Sequence, residues 1–336
     1  MELKKSEFLL IYERIQKIAN KYKIYKFIFI GKENEFNIIM GNIKFIIKIK
    51  NSLIFSKKNI ELDKFNEILY KMPLEFDLKL LIDNFKEEEY NECNELEEGE
   101  EIKLTKNIDN IFRLAEKFSE QAGNDFSTNY LKLSIKDNKM QIVACTTSNI
   151  INITNININN SEIDETIYIH NKELEKVFSN IKNIEKIKIY KNDLKFIGDS
   201  DSISVSIKKG DPRFPDYEKY LYDGNNLIQI SSNIIDEKEL NKKDSYILFD
   251  KNNILYSMIN EGELNIYKSQ EVNINFDSKI AINAKPLIQL KKYMNINKII
   301  NFNIKIDKIS VFNIYNRGMK IDYYILNTII NNWNKV

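Results

Sequence analysis

One phrase recurs three times along the chain and constrains its fold more than any other feature: a short apolar strand, a polar capping position, then an amphipathic helix. It reads Asn59-Ile60-Glu61-Leu62-Asp63-Lys64, with Phe65, Ile68, Leu69 and Met72 following on one face. It returns as Tyr168-Ile169-His170-Asn171-Lys172 with Leu174, Val177, Phe178 and Ile181, and as Ile280-Ala281-Ile282-Asn283-Ala284-Lys285 with Leu287, Leu290 and Met294. In each copy the apolar spacing changes from the period of a strand to the three-to-four spacing of a helix. The helices begin near residues 62, 170 and 283, a period of 108 to 113 residues. Solenoid units are much shorter, about 20 to 50 residues, so the repeat is one of whole modules.

Each module surrounds the phrase with a further helix and short strands. The first opens with Ser6 as a helix cap and Phe8, Leu9, Ile11, Tyr12, Ile15 and Ile18 at helical spacing, then strands over 25–30, 36–40, 43–49 and 53–55. The second has a helix from about Asp109 and strands over 130–135 and 140–144, while the first helix of the third, around 231–240, is the least marked. The sequence therefore predicts an α+β protein of three repeated domains, each with two helices against antiparallel sheets. The expected divisions are 1–101, ending in an acidic connector, 102–222 and 223–336.

Charge matters here by distribution. The chain holds 50 Lys and Arg against 49 Asp and Glu, a net charge of +1, which taken alone argues against a nucleic-acid partner. By segment, residues 1–86 carry 17 bases and 11 acids, 87–101 carry nine acids and no base, 102–222 carry 18 and 17, and 223–336 carry 15 and 12. One acidic run thus conceals a basic remainder, and it reads as a solvated connector. Of the bases only four are arginine, and Asn and Ile are abundant, a pattern of base composition more than of chemistry, so Asn-rich stretches such as 151–160 carry no functional weight.

Catalytic chemistry is poorly signalled. His170 is the single histidine and stands at a strand-to-helix junction, where a capping role is expected. Cys93 and Cys145 are far apart, which offers neither a disulfide nor a zinc cluster. No glycine-rich phosphate or dinucleotide loop is present, and no apolar run approaches the roughly 18 residues of a membrane span. Gly198-Asp199-Ser200-Asp201-Ser202 reads as a polar turn, as do Glu261 and Glu263 around Gly262. The expectation is a cytoplasmic protein without cofactor or metal and without catalytic activity. Two helical segments are basic: Lys4, Lys5, Arg14, Lys17 and Lys21 in the first, and Lys285, Lys291 and Lys292 in 284–294. Such faces suit phosphates, on which lysine acts as a point charge without reading sequence.

A more specific segment lies two thirds along the chain. Val205-Ser206-Ile207-Lys208-Lys209-Gly210-Asp211-Pro212-Arg213-Phe214-Pro215-Asp216-Tyr217-Glu218-Lys219-Tyr220-Leu221 resembles the end of the middle domain of the bacterial DNA polymerase III β subunit, the replicative sliding clamp. In that family a Gly-x-Phe-Pro-Asp-Tyr phrase leads a strand into the domain connector. Pro215 stiffens the exit, Phe214 and Tyr217 anchor it by burial, and Asp216 caps the turn. Asn129-Tyr130-Leu131, Gln141-Ile142-Val143-Ala144 and Ile280-Ala281-Ile282-Asn283 resemble further family phrases, and the first domain is similar in pattern only.

The resemblance implies three DNA-clamp domains per subunit and a head-to-tail ring homodimer around double-stranded DNA. It implies a tether for DNA polymerase, loading by a clamp loader, and DNA-facing lysines on the two basic helices. The implied peptide pocket, between the second and third domains, comprises Leu131, Ile150, Pro215, Lys219, Tyr220, Tyr324, Leu326 and Thr328. Two stretches depart from the family. Its Thr-Asp-Gly-His-Arg-Leu reads Cys145-Thr146-Thr147-Ser148-Asn149-Ile150, and its terminal Met-Pro-Met-Arg reads Leu326-Asn327-Thr328-Ile329, with the chain running on to Trp333 and Val336. These changes fit a divergent, phage or mobile-element member, and the tail is placed to cover the pocket. Two other readings stay open: a clamp-fold protein whose altered pocket serves another partner, and a metal-dependent nuclease using Asp199 and Asp201.

Overall fold

The computed structural model describes residues 2–32, 35–48, 55–73, 75–77, 81, 83–85, 99–104, 108–119, 126–158, 163–198, 202–221, 227–231, 245–260, 263–285, 288, 299–304, 309–316 and 319–326. The first third runs β1 (Glu2–Lys4), α1 (Lys5–Tyr22), β2 (Lys26–Lys32), β3 (Glu35–Met40), β4 (Ile43–Lys48), β5 (Phe55–Glu61), α2 (Leu62–Lys71) and β6 (Glu75–Asp77). The middle third repeats the order as β7 (Glu100–Lys103), α3 (Ile108–Lys117), β8 (Tyr130–Lys136), β9 (Lys139–Cys145), β10 (Asn149–Asn157), β11 (Glu165–His170), α4 (Asn171–Asn180), β12 (Ile184–Ile189), β13 (Asp193–Gly198) and β14 (Ile203–Lys208). The last third contributes β15 (Leu227–Ser231), β16 (Ser245–Asn260), β17 (Glu263–Asn283), β18 (Ile299–Ile304), β19 (Ile309–Asn316) and β20 (Met319–Leu326).

Contacts divide the chain into two units, Met1–Leu104 with Lys176–Lys208, and Thr105–Glu175 with Lys209–Val336. Each contains an eight-stranded sheet. In the first the order is β5-β2-β3-β4-β14-β13-β12-β7, and in the second β11-β8-β9-β10-β20-β19-β18-β15. Half the strands of each sheet come from one third of the sequence and half from the next, so neighbouring thirds are joined by backbone pairing, at β4–β14 and at β10–β20. All these pairings are antiparallel.

Strand alternation decides which face is covered. In the first unit Phe27, Phe29, Ile38, Met40, Ile43, Phe45, Ile203 and Val205 are buried, and α1 lays Phe8, Tyr12 and Ile15 in the same core. Phe65 of α2 stands edge-on to Phe27 and Phe29, at 5.4 and 5.3 Å between centroids. Burying each such side chain contributes about 1.5–3 kcal/mol, which makes the packing of a helix against this sheet the main source of local order. In the second unit Leu131, Leu133, Ile142, Ala144, Ile151, Ile153, Ile321 and Tyr323 are buried, as are Ile111, Phe112 and Leu114 of α3.

The three repeats of the opening phrase start their helices differently. Before α2, Glu61 makes no side-chain cap, and the Leu62 N–H donates to the Tyr25 carbonyl at 2.9 Å instead. Before α4, His170 Nδ1 accepts the Lys172 N–H at 3.1 Å, so the histidine does cap a helix. In the third, Asn283 Oδ1 accepts the Lys285 N–H at 2.9 Å. The last two satisfy a first-turn amide that no intrahelical carbonyl can reach.

Some expectations are corrected. Ser6 is inside α1, because β1 pairs with β6 up to Lys4↔Glu75 and passes straight into the helix. The connector expected to reach residue 101 gives way at Glu100 to β7, where Glu101 pairs with Lys188 of β12 and their charged groups lie 3.6 Å apart. In the last third β16 and β17 form one long ribbon of 16 and 21 residues, bent by bulges near Phe249, Lys251 and Asn253. The bend brings the Ser257 hydroxyl within 3.4 Å of the Tyr246 carbonyl. Apart from Ser231, which ends β15, the helix expected around 231–240 lies outside the described residues, as do Cys93, Asp199 and Asp201.

Candidate functional site

The junction of β10 with β20 carries a groove at one end. Six residue pairs form it, from Asn149↔Ile325 to Thr154↔Lys320. Isoleucines of β10 point inward at 151 and 153, while Ile150 and Tyr324 face each other on the opposite side, next to the turn that enters β10. That turn, Thr146–Asn149, is a closed unit. The Thr146 N–H donates to the Asn149 carbonyl at 2.8 Å, and Thr146 Oγ1 accepts from the backbone amides of Ser148 and Asn149 at 3.2 and 3.0 Å. Asn149 Nδ2 donates to Ser148 Oγ at 2.8 Å, and Asn149 Oδ1 accepts the hydroxyl of fully buried Tyr323 at 2.7 Å. The wall of the groove is thereby fixed to the core.

The connector after β14 supplies the other wall. Gly210 pairs with Tyr168 of β11, its N–H donating to the Tyr168 carbonyl at 2.8 Å. A Cβ at Gly210 would lie 2.2 Å from the Tyr130 ring, so only glycine lets the connector descend this far. Tyr217 then buries against Val143 and Cys145, flanked by Ile150, Phe214 and Leu221. Asp216, expected as a turn cap, meets Lys219 at 2.9 Å across an exposed surface.

The result is a groove of about 300 Å³ whose lining includes Cys145, Ile150, Pro215, Tyr217, Tyr220, Tyr324 and the hydroxyl-bearing turn, with no charged side chain among the described residues. Burial pushes the Cys145 thiol up to about 12, opposed by the nearby Lys132 charge, and burial likewise raises the Tyr217 phenol to about 12. Both therefore stay neutral across physiological pH. The chemistry offered is apolar and aromatic surface edged with hydroxyl groups, suited to an extended peptide.

Of the eight residues expected in a pocket, the structure brings Ile150, Pro215, Tyr220 and Tyr324 together in this groove. Leu131 is 1% exposed on the inner face of β8, Lys219 is on the surface with Asp216, Leu326 ends β20, and Thr328 lies outside the described residues. Thr128, Thr146, Thr147, Ser148, Asn149, Tyr217 and Ile325 join the lining without having been singled out for it, although Tyr217 was marked as a buried anchor. A polar turn between two strands carries no sequence signal that it borders a groove.

The basic helix faces divide as well. Arg14, Lys17 and Lys21 share one side of α1 at three-to-four spacing. Arg14 Nη2 donates to the Asn180 carbonyl at 2.6 Å and Lys21 Nζ to Ser179 Oγ at 2.8 Å, so two of these bases hold the C-terminal end of α4. Lys17 and Lys285 are exposed. Lys4 and Lys5 sit at the β1–α1 junction, and Lys291 and Lys292 lie outside the described residues. Among the described residues no group of three or more His, Cys, Asp or Glu could hold a metal ion, and no helix is long and apolar enough to cross a membrane.

No protein-family model matches the chain, and no curated protein matches its sequence. Solved structures do match, across nearly the whole length. The Pseudomonas aeruginosa DNA polymerase III subunit beta is 9% identical with a TM-score of 0.72, covering 98% of this chain and 99% of that one. The Helicobacter pylori beta clamp bound to a DNA ligase peptide is 14% identical with a TM-score of 0.69 and the same coverage. A putative DNA polymerase III beta subunit from Eubacterium rectale is 14% identical with a TM-score of 0.69, covering 97% and 98%. At these identities it is the architecture that is shared: the chain has the fold of the bacterial β sliding clamp.

Proposed function

We propose that this protein is a sliding clamp: two copies close head to tail around duplex DNA and tether a DNA polymerase, whose peptide docks in the groove beside Ile150 and Tyr324. The supporting observation is the groove itself. It lies where the connector crosses the β10–β20 junction, in a chain with the β-clamp fold from end to end. One neighbour of that fold was solved with a DNA ligase peptide, so short peptides are ligands that the architecture accommodates.

The electrostatics agree with a topological tether. A ring that slides needs attraction to phosphate without base readout, and lysine supplies it. Lys17, Lys21 and Lys285 are candidates for that wall, with Lys4, Lys5, Arg14, Lys291 and Lys292 alongside. Loading onto DNA would require a clamp loader, the site of action would be the cytoplasm, and no chemical step is assigned to the protein.

Closure of a heterologous interface after one repetition predicts a dimer of about 80 kDa in solution from the 39.8 kDa chain. After loading, the protein should remain on nicked circular DNA and leave the same DNA once it is linearised. A monomer that dissociates equally from both forms would refute the clamp reading.

A further inference from the structure

The hydroxyl-bearing edge of the groove is supplied with donors that the turn itself leaves over. Buried Tyr323 donates its hydroxyl to Asn149 Oδ1, which turns the Asn149 Nδ2 protons towards the turn, to Ser148 Oγ at 2.8 Å and to Thr146 Oγ1 at 3.2 Å. Thr146 Oγ1 also accepts the backbone amides of Ser148 and Asn149 at 3.2 and 3.0 Å. A hydroxyl group has two lone pairs and one proton. The donors converging on Thr146 Oγ1 occupy its lone pairs, so it can enter a further hydrogen bond only by donating. Ser148 Oγ accepts from Asn149 on an exposed part of the turn and keeps its proton as well. Among the described residues neither proton has a protein acceptor. A hydroxyl that already accepts is the stronger donor, because each bond polarises the next.

Both hydroxyls line the groove, and both bond one amide nitrogen, so they can converge on a single ligand oxygen. No cation shares the edge. Around the connector Lys132 lies over the Tyr217 ring and 4.0 Å from Glu218, and Lys219 meets Asp216 at 2.9 Å. A carboxylate seated here would lose its hydration with only neutral hydroxyls in return, whereas an amide oxygen exchanges water for them at little cost. The tail expected to cover the pocket lies outside the described residues, so the groove's own atoms carry the assignment. We propose that the groove selects a neutral acceptor: the partner peptide sets a side-chain amide on the Thr146 and Ser148 hydroxyls, with an apolar neighbour against Ile150 and Tyr324. The selectivity rests on the groove being the peptide site and adds what a peptide must present there.

Asn, Asp and Leu have nearly the same shape and differ in charge and hydrogen bonding, so they isolate the effect. The probes are the blocked peptides acetyl-X-Ala-Leu-Phe-amide and acetyl-Phe-Leu-Ala-X-amide, with X as Asn, Asp or Leu, titrated calorimetrically into the full chain. In one of the two orientations Asn should bind about fivefold more tightly than Leu, which leaves both donors without a partner, and about tenfold more tightly than Asp. Ser148→Ala, which keeps the backbone bonds of the turn, should reduce the preference for Asn over Leu to about twofold. Thr146→Val should reduce it similarly and Thr146→Ser should restore it. The ratio is the readout, because a merely loosened turn weakens all three peptides alike.

Equal binding of the Asn and Leu peptides in both orientations, or tighter binding of Asp, would overturn the proposal. Ile150→Glu separates the selectivity from the site. If it abolishes binding of peptides among which Asn has no advantage, the groove remains the peptide site and only the selectivity is lost. If it leaves binding unchanged, or if no probe binds the parent chain, the groove is not the peptide site and the selectivity falls with it. Retention on nicked circular DNA then decides the clamp reading by itself.

Discussion

The two sheets are built alike, and they differ where the two thirds of the sequence meet. In the first unit β3 turns into β4 through Gly41 and Asn42, with Met40 opposite Ile43. Gly41 has φ +57°, the left-handed backbone that a tight hairpin requires and glycine accepts freely. That turn is spent on the junction: the Ser206 N–H donates to the Asn42 carbonyl at 2.9 Å, and Asn42 Nδ2 donates to the Ser206 carbonyl at 2.7 Å. In the second unit the corresponding turn is four residues, Thr146–Asn149, hydrogen-bonded to itself and to Tyr323. Among the described residues the first junction pairs three residues, from Ile203↔Phe45 to Val205↔Ile43, and the second pairs six. One architecture thus gives a two-residue hairpin bonded across the junction in one unit and a longer turn that borders a groove in the other.

The largest effect should come from removing what anchors the open turn. Tyr323 is fully buried, stands edge-on to Phe118 at 5.0 Å, and holds Asn149 with its hydroxyl. Tyr323→Ala should cost about 3–5 kcal/mol in urea unfolding, through the cavity and the orphaned Asn149 carbonyl oxygen. Tyr323→Phe separates the two contributions. It keeps the packing and loses only the hydrogen bond, so about 1 kcal/mol should go while peptide affinity drops with the loosened wall. At the first junction, Asn42→Ala should cost about 1 kcal/mol as well without touching peptide affinity, and an equal loss of affinity there would erase the contrast between the two junctions.

Alkali should also distinguish them. A thiol in the unfolded chain ionises near 9.0, whereas burial holds Cys145 neutral up to about 12. The unfolded state therefore releases a proton that the folded state keeps. The contribution of Cys145 is intact below about pH 9 and declines as pH rises towards 12, at up to about 1.4 kcal/mol per pH unit. Cys145→Ala should flatten stability between pH 9 and 11 relative to the parent chain. Met40, which closes the equivalent strand of the first unit, has no proton to lose, so Met40→Leu should leave the alkaline slope unchanged.

Local order was the legible part of the sequence. The change of period at Leu62 and Asn171 and the connector around Tyr217 follow from nearby residues. Strand β10 was not read from the Asn-rich stretch 151–160, where Ile151 and Ile153 bury and Asn155 and Asn157 are exposed but Asn152 buries as well. What could not be read was pairing between distant edges. Phe45 and Ile203 are opposite each other across 158 positions, and neither strand differs in pattern from a strand that ends a sheet. The groove wall was hidden for the same reason, since Thr146–Asn149 looks like any polar turn until β20 arrives beside it.

Basic side chains give the smallest expected effect and the cleanest separation of structure from tethering. Arg14 and Lys17 are three residues apart on α1 and were alike as candidates for phosphate contact. Arg14 donates to the Asn180 carbonyl at 2.6 Å, near the end of α4, where carbonyls lack helical partners and the helix dipole favours a cation. Arg14→Met should therefore lower stability by about 1–2 kcal/mol, a charge-assisted hydrogen bond lost at a half-buried site. Lys17 is exposed, so Lys17→Met should leave unfolding within about 0.5 kcal/mol of the parent. If Lys17 faces DNA, the plot of log binding constant against log salt should lose about one unit of slope. A change in stability for Lys17→Met, or an unchanged salt slope, would move that lysine off the DNA wall and leave Lys21 and Lys285 to carry it.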